Sequence, residues 1–154
     1  GAATSRAASA RTVINRSLSL LEAHEGFGAV GFPYRNEMFK PGSKPLVNKR
    51  LQTSFIIRTA LYYPKPEYKV REDFIAYVNL RQAGYNTFRI PDIGISCGLE
   101  VGSGRGGISD FDRKALAEKE MAMIRAQFPN VIFKYAPNDA ADWQVDFRKT
   151  TFGA

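Results

Sequence analysis

Between residues 52 and 135 the apolar period switches repeatedly, and proline or glycine stands at most of the switches. Residues 52–63, QTSFIIRTALYY, are β-branched and aromatic and read as a strand. Pro64 and Pro66 stop it. Val70, Phe74, Tyr77 and Val78 then fall at helical spacing, which predicts a helix over 67–83 with Gly84 as its C′ residue. Residues 85–101 read as extended, with Pro91 as a break; Ile93, Ile95 and Cys97 alternate as one buried strand face would. After a glycine-rich turn at 102–107, Ser109 and Asp112 make a capping-box pattern, Asp standing where Glu or Gln is usual. The helix so opened runs to about Gln127, with Phe111, Leu116, Met123 and Ile124 on or near one face, and Pro129-Asn130 ends it. Residues 131–135, VIFKY, read as a short strand and 143–147, WQVDF, as another. Segments 53–90 and 93–135 can thus each be read as strand–helix–strand. A chain of 154 residues suits one modest core plus extensions.

The N-terminal third has a different character. Residues 1–50 hold eight Lys/Arg and three Asp/Glu, a net +5; residues 51–154 hold fourteen and twelve, a net +2. Residues 1–21 carry Arg6, Arg11 and Arg16, many Ala and Ser, and no acid, with Val13, Ile14, Leu18 and Leu21 at helical spacing. That is the composition of a mitochondrial targeting segment, and equally of a docking helix that stops at Gly26. Residues 26–50 are rich in Gly, Pro and aromatics without sustained period, and read as an extended arm that needs a partner to order it. Phe27, Phe32, Tyr34 and Phe39 are its expected apolar anchors. Arg35, Lys40, Lys44, Lys49 and Arg50 are its expected contacts to an anionic surface such as RNA or an acidic membrane. The division expected is therefore an import-like segment and basic arm over 1–50 and an α/β domain over 51–154.

Catalytic and metal chemistry find little footing. Residues 99–107, LEVGSGRGG, place Gly102, Gly104 and Gly107 between a strand and a helix, the arrangement of a dinucleotide-binding turn, and with Glu100 resemble the first motif of S-adenosylmethionine-dependent methyltransferases. Only 47 residues follow Gly107, too few for a doubly wound sheet. Lys134 stands on the next strand where a ribose-binding acid would be useful, and Asp139 comes late. The one histidine, His24, and the one cysteine, Cys97, lie far apart, so no zinc spacing and no internal disulfide exist. Cys97 fits an inert thiol on an apolar strand face, Asp110 and Asp112 fit a helix start, and Trp143 fits a core or interface anchor. No cofactor, metal site or small-molecule substrate is expected.

From Ile93 onward the chain resembles the thioredoxin-like domain shared by several mitochondrial ribosomal proteins and a small accessory subunit of respiratory complex I. The elements that carry the likeness are the strand at 93–97 ending in Cys97, the turn Ser103-Gly104-Arg105-Gly106, the helix start Asp110-Phe111, the break Phe128-Pro129-Asn130 and the strand at 131–135. They cover about residues 93–153; Phe152-Gly153 stands where the family has a Tyr-x-x-Gly region, and the family's closing strands and helix have no counterpart. The resemblance implies an α/β fold, a small thioredoxin-like strand–helix–strand domain with a long basic N-terminal extension. With no Cys-x-x-Cys, disulfide exchange is not implied. It also implies a non-catalytic structural subunit on the matrix side of the mitochondrion. The first expectation is a mitochondrial ribosomal protein contacting rRNA and neighbouring proteins; the alternatives are an accessory subunit among complex I partners and a divergent methyltransferase.

Overall fold

The computed structural model describes residues 9–33, 46–48, 51, 55–61, 65–94, 110–135, 143–146 and 148–153. They form a mixed α/β structure with three α-helices and a mixed sheet. The elements are α1 (Ala10–Ala23), β1 (Phe27–Gly31), β2 (Leu46–Val47), β3 (Phe55–Ile57), a 3₁₀ turn (Thr59–Leu61), α2 (Glu72–Gln82), β4 (Asn86–Arg89), α3 (Asp110–Gln127), β5 (Phe133–Tyr135) and β6 (Trp143–Val145). The chain divides into two compact units, one from residues 1–61 and 86–96 and the other from 62–85 and 97–154. This division differs from the boundary expected at residue 50, because strands on both sides of that residue share one sheet.

The first unit is built on a four-stranded sheet in the order β2-β4-β1-β3. β1 lies in its interior, antiparallel to β3 and parallel to β4. β2 is two residues long and pairs antiparallel with β4 at the edge. Asn48 extends that pairing. Its backbone N–H donates to the Thr87 carbonyl at 2.8 Å, and its side-chain oxygen accepts from the Thr87 N–H at 3.0 Å. Its φ of 61° lies in the left-handed region, which asparagine tolerates better than most residues. The core gathers Leu21 of α1 with Val30, Phe32 and Ile90, and Val13, Leu20, Phe27, Ile56, Phe88 and Ile93 pack around it.

The extended-arm reading of 26–50 is corrected at its start. Residues 27–31 are an inner strand, with Ala29 and Val30 fully buried, and Phe32 belongs to the core instead of anchoring a partner. The sequence hid this because FGAVG offers small residues without a clear apolar alternation. Small side chains are what an inner strand covered on both faces accommodates, and such strands do not alternate. Tyr34, Arg35, Phe39, Lys40, Lys44, Lys49 and Arg50 lie outside the described residues.

The second unit holds α2, α3 and the antiparallel pair β5–β6. Phe74, Ile75, Tyr77, Val78 and Leu80 of α2 are all buried, so this helix is covered on most of its faces. It starts at Glu72, later than the expected residue 67, and Gly84 follows it with φ 89°, as a C′ glycine should. Met121 and Ile124 of α3 are buried together with Phe128 and Val131 beyond its end. The ring of Phe74 meets that of Phe133 on β5 at 5.8 Å. Strand occupies 133–135 and 143–145 within the two later segments, and among the described residues of 52–63 it occupies 55–57, followed by the 3₁₀ turn. Residues 95–109, including Cys97, the glycine turn and Ser109, lie outside the described residues.

Candidate functional site

Helix α1 owes its position to polar contacts on one side and leaves an apolar pair on the other. Its N-terminus is capped by Ser9, whose hydroxyl oxygen accepts from the Thr12 N–H at 3.2 Å. Ser17 is buried, and its hydroxyl donates to the Val13 carbonyl at 2.8 Å, which removes the penalty of a bare buried hydroxyl. Arg58, just after β3, reaches the other end. Its Nη2 donates to the carbonyls of Leu21 and His24, the latter at 3.1 Å, and its Nε donates to the Phe27 carbonyl at 2.8 Å. The His24 carbonyl also accepts from the Phe27 N–H at 3.1 Å, and a cation at this end opposes the negative end of the helix dipole. The His24 ring meets Phe27 edge-on at 5.6 Å.

Arg16 holds the same helix to the turn after β4 through a two-pronged ion pair with Asp92, at 2.9 and 3.0 Å. The hydrogen bond from Arg16 is the main reason that the Asp92 carboxyl titrates below its ordinary value. With Leu21, Ser17, Leu20 and Val13 turned inward, Ile14 and Leu18 stand one helical turn apart at 47% and 45% exposure. Arg11, also exposed, lies on the same flank by helical geometry. A neighbour offering a shallow apolar groove rimmed by acidic or phosphate oxygens fits this flank.

Comparison with protein-family models, with curated proteins and with solved structures gives no match.

Of the residues singled out in the sequence, Phe32 is in the core, His24 caps α1, and Trp143 is a half-buried residue of β6. Phe27 packs against that core as well, and Tyr34, Arg35, Phe39, Lys40, Lys44, Lys49 and Arg50 lie outside the described residues. Among the described residues no group of three or more His, Cys, Asp or Glu side chains is arranged to hold a metal ion, and no helix is long and apolar enough to cross a membrane.

The charged residues that matter most to this architecture were not visible in advance. Arg58 reads in sequence as one cation in an otherwise apolar strand. Glu120 reads as one acid in the charged face of a helix. Yet Glu120 is fully buried, and its carboxylate accepts from three consecutive backbone N–H groups at Lys69, Val70 and Arg71, the last two at 2.9 and 2.7 Å. Arg71 is the N-cap of α2 and makes no side-chain cap; the carboxylate from α3 fixes the three residues that lead into the helix. The Nε of Arg71 in turn donates to the Ala117 carbonyl at 3.4 Å. No local signal could have identified this contact, because its partners lie about fifty residues apart in the chain.

Proposed function

We propose that the chain is a non-catalytic structural subunit of a large mitochondrial assembly on the matrix side, most simply a mitochondrial ribosomal protein that contacts rRNA and neighbouring proteins. The observation that carries this reading is the exposed Ile14–Leu18 pair on α1, a helix whose other side is held into the first unit. An apolar pair on a well-anchored helix suits a permanent neighbour. The use of Glu120 and Arg58 agrees with a structural role, since both hold the chain's own backbone. The excess of seven positive charges favours a polyanionic surrounding such as rRNA. The thioredoxin-like resemblance belongs to the same proposal. It draws support from the order of α3, the Phe128-Pro129-Asn130 break and β5, whereas the four-stranded sheet comes from residues upstream of that stretch.

The test is sedimentation of the full chain from mitochondrial lysate. Co-migration with the mitochondrial ribosome, lost when Ile14 and Leu18 are both changed to Ser, is the expected result. Migration with respiratory complex I would replace the ribosomal reading by the accessory-subunit reading. A chain that stays outside mitochondria would refute both.

A further inference from the structure

The outer end of the β5–β6 pair carries a second exposed feature that packing does not use up. Tyr135 and Trp143 are directly paired across the two strands, on the same face as Phe133 and Val145 two residues inward. The inward pair does the work of a core: Val145 is buried, and Phe133 meets Phe74. The outward pair does not. The ring centroids of Tyr135 and Trp143 lie 5.3 Å apart, yet Tyr135 remains 59% exposed. Arg125 of α3 places its guanidinium carbon 5.0 Å from the centroid of the Trp143 ring. The result is a cluster of guanidinium, indole and phenol, the two rings tilted 54° to each other, that ends in an exposed aromatic ring. Lys134, exposed between the two aromatic positions in sequence, adds a cation on the opposite face of the same strand.

We propose that this aromatic cluster is a binding site for single-stranded RNA, with a base lying on Tyr135, one adjoining phosphate drawn by Arg125 and the strand continuing round β5 towards Lys134. An open aromatic ring backed by a second ring and a cation suits the face of a nucleobase, and base stacking on aromatic side chains is tolerant of sequence. The partner is single-stranded because the bases of a duplex are stacked on one another and cannot reach the ring. An anionic partner is favoured by Arg125 at the cluster, by Lys134 on the other face of β5 and by the net charge of +7. The inference rests on the ribosomal reading only for the source of the strand; the binding itself belongs to the isolated chain.

Trp143 is the one tryptophan of the protein, so its fluorescence reports this site and no other. The full chain is titrated with a short oligouridylate, with duplex RNA of equal length and with anionic lipid vesicles. Saturable quenching of Trp143 by the single strand is expected, weakening as salt rises. Tyr135→Ala should weaken binding about tenfold, while Tyr135→Phe keeps it, because only the ring face is used. Because Tyr135 is exposed, thermal melting of Tyr135→Ala should match that of the parent. Arg125→Gln should weaken binding and flatten the salt dependence by roughly one phosphate contact. Unchanged Trp143 fluorescence, equal affinity of Tyr135→Ala, or quenching by vesicles or duplex RNA in preference to the single strand would each overturn the proposal. Co-sedimentation separates the two readings. A chain that joins the ribosome without quenching loses this site alone; one that quenches but migrates with complex I loses the ribosomal reading alone.

Discussion

At the scale of single residues, two buried polar groups have effects that can be measured directly. Glu120 accepts from three successive N–H groups in front of α2, and its removal leaves those donors without an acceptor in the interior. Glu120→Ala is expected to cost at least about 3 kcal/mol in chemical denaturation, from lost charge-assisted bonds and a cavity. Glu120→Leu fills the same space and should rescue little of it, which separates hydrogen bonding from packing. Tyr77 gives a pH signature. Burial is the larger cause that pushes its phenol up to about 12 from 10.0, against the opposing pull of Arg81. The folded state therefore holds this proton more tightly than the unfolded state does. The stabilisation is whole below pH 10 and is lost as pH rises from 10 through about 12, a change of roughly 2–3 kcal/mol. Tyr77→Phe should be about 1 kcal/mol less stable near neutrality, having lost its hydrogen bond with Arg81, and the gap should close and reverse across that alkaline window.

At the scale of elements, α1 shows how a helix can be fixed by residues it does not contain. Arg58 satisfies its last carbonyls and the first carbonyl of β1 at once. Arg58→Met keeps the aliphatic stem and removes the donors. It should cost roughly 2 kcal/mol, and hydrogen exchange should quicken in the last turn of α1 before anywhere in α3. The double change of Ile14 and Leu18 to Ser should behave oppositely. Exposed positions of this kind shift stability by about 0.5 kcal/mol or less, so the thermal melt should hardly move while assembly is lost. The helix ends themselves were legible: Gly84 after α2 and Pro129 after α3 are breakers whose effect is local. The start of α2 was less so, because Glu67 to Arg71 continue the apolar spacing but are held as a turn by a carboxylate from α3.

At the scale of the whole molecule, α1 is part of a folded unit. Val13, Leu20 and Leu21 contribute to the same core as Val30, Phe32 and Ile90. Deleting residues 1–23 should therefore destabilise the first unit by several kcal/mol, on the basis of roughly 1.5–3 kcal/mol for each fully buried large aliphatic side chain. An import sequence that is cleaved must on this account end ahead of α1; a mature chain found to start after residue 23 would show that the first unit holds together without the helix.

Local chemistry was enough to establish some features from the sequence alone. The helix over α3 ends where Pro129 removes its donor, α2 ends where Gly84 adopts a positive φ, and β5 lies within a short run, VIFKY, of β-branched and aromatic residues. Each depends on a residue's own torsional limits or on its near neighbours. Tertiary structure decided the rest. FGAVG became an inner strand because β3 and β4 flank it, and nothing in one aromatic and four small residues announces such neighbours. Phe32 turned inward because Leu21 and Ile90 offered a core to meet it. Glu120 became a buried anchor, where its helix alone would have given it a solvated face. In each case the deciding partner lies outside the span over which a sequence pattern carries information, and the balance of burial against hydrogen bonding is set only once the chain has brought that partner into contact.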